Sequence, residues 1–393
     1  MKKSVAQGLI FCDIWRMIII KFSQQGDSDM GDRRVEVEFS ENLKEKPKSD
    51  DLVFGRTFTD HMFVMDYSEP VGWHNAKIIP YQPITLDPSA MTFHYGQTVF
   101  EGLKAYYTPN GDIQLFRPET NLRRMNHSND RLCIPPIDEA FVLKAIKQLV
   151  DLDRGWVPTA EGTSLYIRPF VISTEPYIGV APSHHYKFMV ILSPVGAYYK
   201  EGINPVKIAV ENQYVRAVKG GTGEAKTGGN YAASLKAQEI CERNGFTQVL
   251  WLDGVEKKYI EEVGSMNVFF KINGEVVTPA LNGSILEGIT RNSVIQLLNY
   301  WDIPVDERKI SMDELYQSYL DGTLEEAFGT GTAAVVSPIG QLNWEGKDIF
   351  INDGKTGEVA KSLYDTLTGI QYGKKEDPFQ WIEKVPEGSA IIN

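Results

Sequence analysis

The sequence has few cysteines and no pattern that would pair them. Cys12, Cys133 and Cys241 are odd in number and far apart, and no Cys-X-X-Cys occurs. Scattered thiols of this kind are typical of a reducing compartment, so we expect a cytoplasmic protein without disulfides. The histidines also lack the spacing of metal ligands, since His184 and His185 are adjacent rather than four residues apart, and no metal site is predicted.

An excess of positive charge and a long apolar run are absent as well. The 52 acidic residues outnumber the 40 basic ones, which gives a formal charge of -12 and argues against nucleic acid as a partner. The apolar stretch at 9–20 is interrupted by Asp13 and Arg16. It is shorter than the ~20 residues of a membrane-spanning helix, and no small-residue cleavage site follows it. We therefore predict no membrane segment and no secretory signal, and we expect 1–35 to be a poorly structured tail.

The chain is too long for one simple core, so two domains are expected. From about residue 52 it mixes amphipathic helices with short strands, and Asn110-Gly111 predicts a tight hairpin. Proline and glycine at both ends of 194–205 indicate an interdomain connection. The later strands are short, joined by turns and interrupted by helices, which favours an α+β or barrel-like domain over a doubly wound sheet. We predict a small α/β domain at 36–194, a linker at 195–205 and a larger domain at 206–393.

Lys226 is the first candidate for chemistry, because glycines lie on both sides of it in GGTGEAKTGGNY. A backbone of this kind can approach a ligand closely. A lysine amine forms an imine with an aldehyde when burial or a nearby cation lowers its pKa. Alone, the segment is equally typical of a solvated loop, and it lacks the GxxxxGK[ST] pattern of a nucleotide-binding loop.

The second candidate is a pair of adjacent carboxylates, Glu261 and Glu262, at the end of a predicted strand. Successive side chains of a strand point to opposite faces, so we expect at most one of them in a buried site and the other in solvent. A buried carboxylate needs a positive partner, and the protonated nitrogen of a pyridine ring is such a partner.

Two further segments predict sites for anions. GSILEGITR leads into a helix, with Thr290 as a natural N-cap and with free amides in the first turn. Arg124 on an earlier helix could close on the same phosphate with its planar guanidinium. FGTGTAA is a tight turn whose backbone N–H groups could bind a carboxylate. Taken singly, the first segment is also typical of an ordinary capped helix and the second of a turn entering a strand.

Together these segments resemble the branched-chain aminotransferases, which are pyridoxal-phosphate enzymes of fold type IV. The resemblance extends from about Phe54 to Gly369, and the segments EVGxMN and GITR mark the wider fold type. The longer segments FGRTFTDHM and YGQTVFEGLKAY point to the branched-chain group. The matching segments occur in order along the chain: LVFGRTFTDHM, HYGQTVFEGLKAY, LYIRPF, GGNYAASL, EEVGSMNVFF, LEGITRNSV and FGTGTAAVVSP.

The resemblance implies a role for each matching residue around the cofactor. Lys226 would hold pyridoxal phosphate covalently and carry the proton between the substrate Cα and cofactor C4′. Glu262 would pair with the pyridine nitrogen, with Glu261 as its outward neighbour, and Tyr231 would hydrogen-bond the phenolic oxygen. The phosphate would be held by four residues: Arg124, Ile289, Thr290 and Thr332.

The resemblance also implies a substrate site and a reaction. Amides of Thr332 and Ala333, helped by Tyr166, would bind the α-carboxylate, and Arg168 would receive the side-chain carboxylate of glutamate. The implied reaction is ping-pong transamination of leucine, isoleucine and valine with 2-oxoglutarate in a homodimer. The walls of the pocket would come from Phe54, Tyr95, Phe100 and Tyr198 and, across the dimer interface, from Val180.

Some alternatives remain open at this stage. A D-amino-acid aminotransferase or an aminodeoxychorismate lyase shares the lysine, the glutamate and the Gly-Ile-Thr segment. A non-catalytic pyridoxal-binding or scaffold protein is disfavoured, because every residue that the chemistry needs is present. Ala334-Val335-Val336-Ser337 cannot form the redox Cys-X-X-Cys that some animal members carry after Gly-Thr-Ala, so thiol regulation of that kind is not expected.

Overall fold

The computed structural model describes residues 34–196 and 203–389. Glu36–Ile392 is one compact unit, and all the elements below belong to it. Almost all of the predicted tail, most of the predicted linker and Tyr198 lie outside the described residues.

The described chain contains eighteen strands and seven α-helices, with short 3₁₀ turns at Ser49–Asp51, Arg154–Trp156 and Asn352–Gly354. The strands are β1 Glu36–Val37, β2 His61–Ser68, β3 Gly72–Pro80, β4 Thr98–Phe100, β5 Leu103–Tyr107, β6 Ile113–Phe116, β7 Ser164–Ser173, β8 His185–Val195, β9 Val206–Glu211, β10 Gln248–Leu252, β11 Ile260–Val263, β12 Met266–Ile272, β13 Glu275–Pro279, β14 Val305–Arg308, β15 Leu324–Gly331, β16 Val335–Trp344, β17 Lys347–Phe350 and β18 Ile382–Val385. The helices are α1 Met91–Tyr95, α2 Pro118–Arg131, α3 Glu139–Leu152, α4 Gly228–Arg243, α5 Ile289–Tyr300, α6 Met312–Leu320 and α7 Glu358–Gln371.

The first half of the described chain forms a largely antiparallel sheet in the order β1-β3-β2-β8-β7-β5-β6-β18, with β4 paired to β7. The predicted hairpin is confirmed, since β5 and β6 pair antiparallel and Gly111 of the turn has φ +86°. Pro118 begins α2, where its missing N–H costs no helical hydrogen bond. Asp138 caps α3 by accepting a hydrogen bond from the Phe141 N–H.

The second half forms a sheet that closes on itself. Its order is β11-β10-β9-β16-β15-β12-β13-β14, with β17 on β16, and β11 also pairs with β12. Six strands therefore make a closed ring, which confirms the predicted barrel-like architecture. Buried apolar side chains fill one continuous cluster here, including Ile208, Leu250, Val268 and Leu342. This core fixes the ends of the strands, and the candidate site lies at those ends.

The strands change from one sheet to the other between Val195 and Val206, within the predicted linker. The last strand, β18, pairs antiparallel with β6 and so returns to the first sheet. The predicted range 206–393 does not describe that return, and the division into two domains stays a prediction. Among the residues described, no helix combines the length and the apolar character needed to cross a membrane.

Candidate active site

Glu262 lies on β11 with its carboxylate almost completely buried, at 3% exposure. Its Oε1 accepts a hydrogen bond from the Leu286 N–H at 2.8 Å. Arg216 Nε lies 3.1 Å from Oε2 as an ion pair, although this N–H makes no hydrogen bond. Burial raises the pKa of Glu262, and the positive charge of Arg216 opposes that rise. Sequence reasoning missed Arg216, because an isolated arginine ten residues before Lys226 belongs to no motif.

The expectation that Glu261 faces solvent is wrong. Glu261 is as buried as its neighbour, at 3% exposure. Its Oε1 accepts hydrogen bonds from Ser284 Oγ and, at 3.1 Å, from Asn282 Nδ2. The alternation of a strand correctly placed the two carboxylates on opposite faces. It could not show that the loop before α5 covers the second face.

Lys226 lies at the end of the glycine-rich loop, two residues before α4. Its backbone N–H donates to Ser128 Oγ at 2.9 Å, and its carbonyl accepts from the Phe100 N–H at 3.0 Å. The Nζ donates to Tyr231 Oη at 2.9 Å and lies 5.0 Å from the centroid of the Phe100 ring. The loop is therefore fixed on both sides, and the amine is held beside a phenol.

Lys226 opens into a cavity of about 260 Å³. An adjacent cavity of about 200 Å³ contains Glu262 and Arg216, and both cavities share Tyr231, Gln248 and Ser265. The predicted residues that the structure brings together around the first cavity are Phe54, Phe100, Tyr166, Arg168, Lys226, Tyr231, Thr332 and Ala333.

The residues between Lys226 and Glu262 fit pyridoxal phosphate. An amine at one end and a buried carboxylate at the other match its aldehyde and its ring nitrogen. The wall still has hydrogen-bonding capacity to offer, since the buried Gln248 Oε1 has no partner. Tyr231, which lines both cavities, could orient the phenolic oxygen of the ring.

The helix that would hold the phosphate begins differently from the prediction. Gly288, and not Thr290, is the N-cap of α5, and Ile289 and Thr290 form its first turn. A Cβ on Gly288 would lie 1.8 Å from Asn267 Oδ1, so only glycine fits there. The N–H groups of Ile289 and Thr290 have no acceptor within the helix, as at every helix start.

Arg124 is already paired within the protein. Its Nε and Nη2 donate to the two carboxylate oxygens of Glu101 at 2.7 and 2.9 Å, and its Nη1 donates to the Glu287 carbonyl at 2.9 Å. Burial alone raises the pKa of Glu101, but the charge and hydrogen bonds of Arg124 outweigh it and hold that pKa below its usual value. Arg124 and Ile289 line a third cavity, of about 440 Å³, and the phosphate role of Arg124 stays a prediction.

Tyr95 and Val180 do not line the cavity of Lys226. Tyr95 Oη donates to the Ile178 carbonyl at the surface, and Val180 is 87% exposed. Their predicted role needs a second subunit and is not tested within one chain. Tyr198 lies outside the described residues.

Lys104 supports the predicted carboxylate-binding turn from behind. Its Nζ donates to the Ala333 carbonyl at 2.9 Å, and Ala333 lines the reaction cavity. Burial of the amine lowers the pKa of Lys104 to about 8. Sequence reasoning missed this contact, which joins residues 229 positions apart in the chain.

We expect the stability of wild type relative to Lys104→Met to increase as the pH rises above about 8. Between that pKa and the ordinary lysine value, the unfolded chain binds more protons than the folded one, so raising the pH favours folding. Urea unfolding of both proteins at pH 7.5 and 9.5 measures the change, at most about 1 kcal/mol because the side chain is partly exposed. A difference that stays constant or shrinks with pH would contradict this pKa.

A lysine on a glycine-rich loop, a buried glutamate at the end of a barrel strand and a facing carboxylate turn define an aminotransferase of fold type IV. The amino-transferase class IV family matches residues 98–342 of the chain. Branched-chain-amino-acid aminotransferase 2 of Bacillus subtilis (strain 168) is 65% identical over 356 residues, which is 91% of this chain and 98% of that protein. Branched-chain-amino-acid aminotransferase of Mycolicibacterium smegmatis is 49% identical over 84% of this chain and 92% of its own length.

Solved structures agree with the sequence relatives. The branched-chain amino acid aminotransferase of Escherichia coli aligns with a TM-score of 0.69 at 26% identity, over 83% of this chain and 99% of that one. The T.th. enzyme with pyridoxamine 5'-phosphate gives 0.69 at 27% identity, over 82% and 98%. The chain belongs to the branched-chain amino-acid aminotransferase family.

Proposed function

We propose that the protein transfers the amino group of L-leucine, L-isoleucine or L-valine to 2-oxoglutarate, with pyridoxal 5'-phosphate as its cofactor. The observation that carries the proposal is the Lys226 amine, 2.9 Å from Tyr231 Oη, in a cavity continuous with the one that contains the buried Glu262. Relatives that are 49–65% identical bear the name of this activity.

Bound pyridoxal phosphate supplies an aldehyde carbon and a ring that accepts electrons from the substrate Cα. Lys226 binds that carbon through its amine, and when the substrate amine displaces it, the freed amine moves a proton between Cα and C4′. Glu262 keeps the proton on the ring nitrogen. Tyr231 donates its hydrogen bond to the phenolic oxygen and so fixes the tilt of the ring above Lys226.

An aromatic wall suits the side chains of branched amino acids. Phe54 and Tyr166 meet edge to face with ring centroids 4.8 Å apart, and Phe100 lies across the cavity from the carboxylate turn. Each CH₂ that a substrate buries against this wall contributes about 0.8 kcal/mol. The backbone N–H groups of Thr332 and Ala333 bind the α-carboxylate.

Arg168 gives the same cavity an acceptor for a second carboxylate. Its Nη2 donates to Tyr166 Oη at 3.0 Å and its guanidinium lies 4.7 Å from the centroid of the Phe100 ring, while its buried Nε has no hydrogen-bond partner. A guanidinium with a spare donor in an aromatic cavity fits the side-chain carboxylate of glutamate or 2-oxoglutarate.

We expect Arg168→Met to raise the KM for 2-oxoglutarate roughly 10- to 100-fold, the effect of losing charge-assisted hydrogen bonds. The KM for L-leucine changes less than about threefold, because that side chain needs no cation. Initial rates with each substrate varied in turn measure both constants, and Arg243→Met, at an exposed site on α4, serves as the control. Equal increases for both substrates would remove the assignment of Arg168 to the acidic side chain.

The reaction itself is tested with the holoprotein, L-leucine and 2-oxoglutarate, by measuring 4-methyl-2-oxopentanoate and L-glutamate. D-alanine and aminodeoxychorismate are offered in parallel. Turnover of L-leucine with parallel double-reciprocal plots supports the proposal and the ping-pong order. Turnover of D-alanine or aminodeoxychorismate in preference to L-leucine would assign the chain to one of the alternative activities.

The proposal includes a homodimer and a cytoplasmic location. Several large apolar side chains beside Tyr95 and Val180 are exposed in the single chain, among them Phe93, Tyr177 and Ile178. A contiguous patch of this kind favours burial against a second copy. Light scattering of the purified holoprotein at twice the chain mass supports the dimer, and the mass of a single chain would exclude it.

A further inference from the structure

The two adjacent carboxylates of β11 bind the same loop, residues 282–286. Glu262 Oε1 accepts from the Leu286 N–H at 2.8 Å. Glu261 Oε1 accepts from Ser284 Oγ and, at 3.1 Å, from Asn282 Nδ2. Because successive side chains of a strand point to opposite faces, the loop is held from both faces of β11 at once.

The loop in turn sets the position at which α5 begins. Asn282 Oδ1 accepts from the Ser284 N–H at 3.0 Å and from Ser284 Oγ at 2.7 Å, which makes the bend compact. Asn267 Nδ2 donates to the Leu286 carbonyl at 2.9 Å, and Gly288 then caps α5. Any displacement of Ser284 is therefore transmitted along the loop to the proposed phosphate end of the site.

The carbonyl of Ser284 joins the loop to the ion pair of Glu262. It accepts a hydrogen bond from Arg216 Nη2, and Arg216 Nε lies 3.1 Å from Glu262 Oε2. Gly223 packs against the same carbonyl so closely that a Cβ would lie 2.2 Å from it. Ser284 is thus fixed by Glu261 through its side chain, and it fixes Arg216 through its backbone.

Glu261 has no access to the reaction itself. It lines a separate cavity of about 220 Å³ with Asp253, Tyr259 and Ile285, away from the cavities of Lys226 and Glu262. Its Oε2 is buried without a hydrogen-bond partner, so the carboxylate is held here at a desolvation cost that its hydrogen bonds do not fully offset. A carboxylate at such a place requires an explanation other than stability.

We propose that Glu261 is a positioning residue for the cofactor site: by holding Ser284, it orients the Arg216 guanidinium against Glu262. The inference rests on the proposed function, because the ring-nitrogen role of Glu262 belongs to it. Glu261 acts only through Ser284 and Arg216 and contacts neither the substrate cavity nor the reacting atoms.

The test compares Glu261→Ala, Ser284→Ala, the double variant and Glu261→Gln, with Glu256→Ala as the control. Glu256 is exposed and lines the same cavity as Glu261. Two quantities are measured: the dissociation constant of pyridoxal phosphate, by titration of the apoprotein, and kcat and KM for L-leucine.

We expect Glu261→Ala and Ser284→Ala each to weaken cofactor binding and to lower kcat about tenfold, the effect of one charge-assisted hydrogen bond. The KM for L-leucine changes less than about threefold, because the substrate wall is untouched. The double variant is no worse than either single one, since both remove one link. Glu261→Gln keeps an acceptor for Ser284 and recovers most of the loss, and Glu256→Ala behaves as wild type.

Two results would overturn the proposal: wild-type cofactor affinity and kcat in both alanine variants, or losses that multiply in the double variant. If Glu261→Ala does not fold, Ser284→Ala and Glu261→Gln decide, and wild-type values in Ser284→Ala are then sufficient to reject it. The apoprotein titration involves no substrate. A wild-type protein that binds the cofactor but does not convert L-leucine would therefore refute the proposed function and leave the result on Glu261 standing.

Discussion

Lys226→Ala lowers kcat for L-leucine by roughly 10⁴-fold or more, because one amine both binds the cofactor carbon and carries the proton between Cα and C4′. Neither neighbour can replace it, since Tyr231 offers only a phenol and Arg168 a guanidinium that stays protonated. The visible absorbance that depends on the lysine is lost as well. Steady-state assays and an absorption spectrum of the purified variant measure the two effects together.

The matched control for this variant is Lys236→Ala. Lys236 lies on α4, ten residues after Lys226, where it is exposed and paired with Glu239. The control variant keeps wild-type turnover and spectrum. Full turnover in Lys226→Ala, without any added amine, would show that another group performs the proton transfer.

Glu262→Gln lowers kcat by roughly 10²- to 10³-fold, the effect of removing one preorganised charge from an active site. The glutamine keeps an acceptor for the Leu286 N–H, so the loop at 282–286 is still held. It can no longer stabilise a proton on the ring nitrogen, and the ring then accepts electrons from Cα less readily. Kinetics under saturating cofactor separate this effect from a loss of binding.

Glu262→Asp distinguishes charge from geometry in the same experiment. Aspartate keeps the negative charge but withdraws it by one CH₂, so we expect a kcat between those of wild type and Glu262→Gln. A Glu262→Gln enzyme with wild-type kcat would mean that the ring does not need to be cationic. Comparable thermal unfolding of the variants ensures that the kinetics report on the site.

The chemical residues were predictable because they lie in short, specific segments. Lys226 stands among glycines, and Glu262 directly precedes Val-Gly-Ser-Met-Asn. Hairpins with Asn-Gly turns were predictable for a similar reason, since the turn requires positive φ, as Gly111 and Gly274 both show. Local pattern also sufficed for most of the helices and strands.

The supporting contacts were not predictable, because each joins residues far apart in the chain. The burial of Glu261 depends on Ser284, and the pairing of Arg124 with Glu101 depends on how α2 lies beside the strands. The cap of α5 was assigned to Thr290 from its preference for that position, but packing of Gly288 against Asn267 decides it. Side-chain preference is a weaker influence than tertiary contact at such places.

The central claim is that pyridoxal phosphate is bound through the Lys226 amine. Reduction of the holoprotein with borohydride, followed by proteolysis and mass spectrometry, fixes the cofactor on the lysine that carries it. We predict a single pyridoxyl group, on Lys226, in the peptide that contains Thr227 and Tyr231. A pyridoxyl group on any other lysine, or on none, would contradict the account.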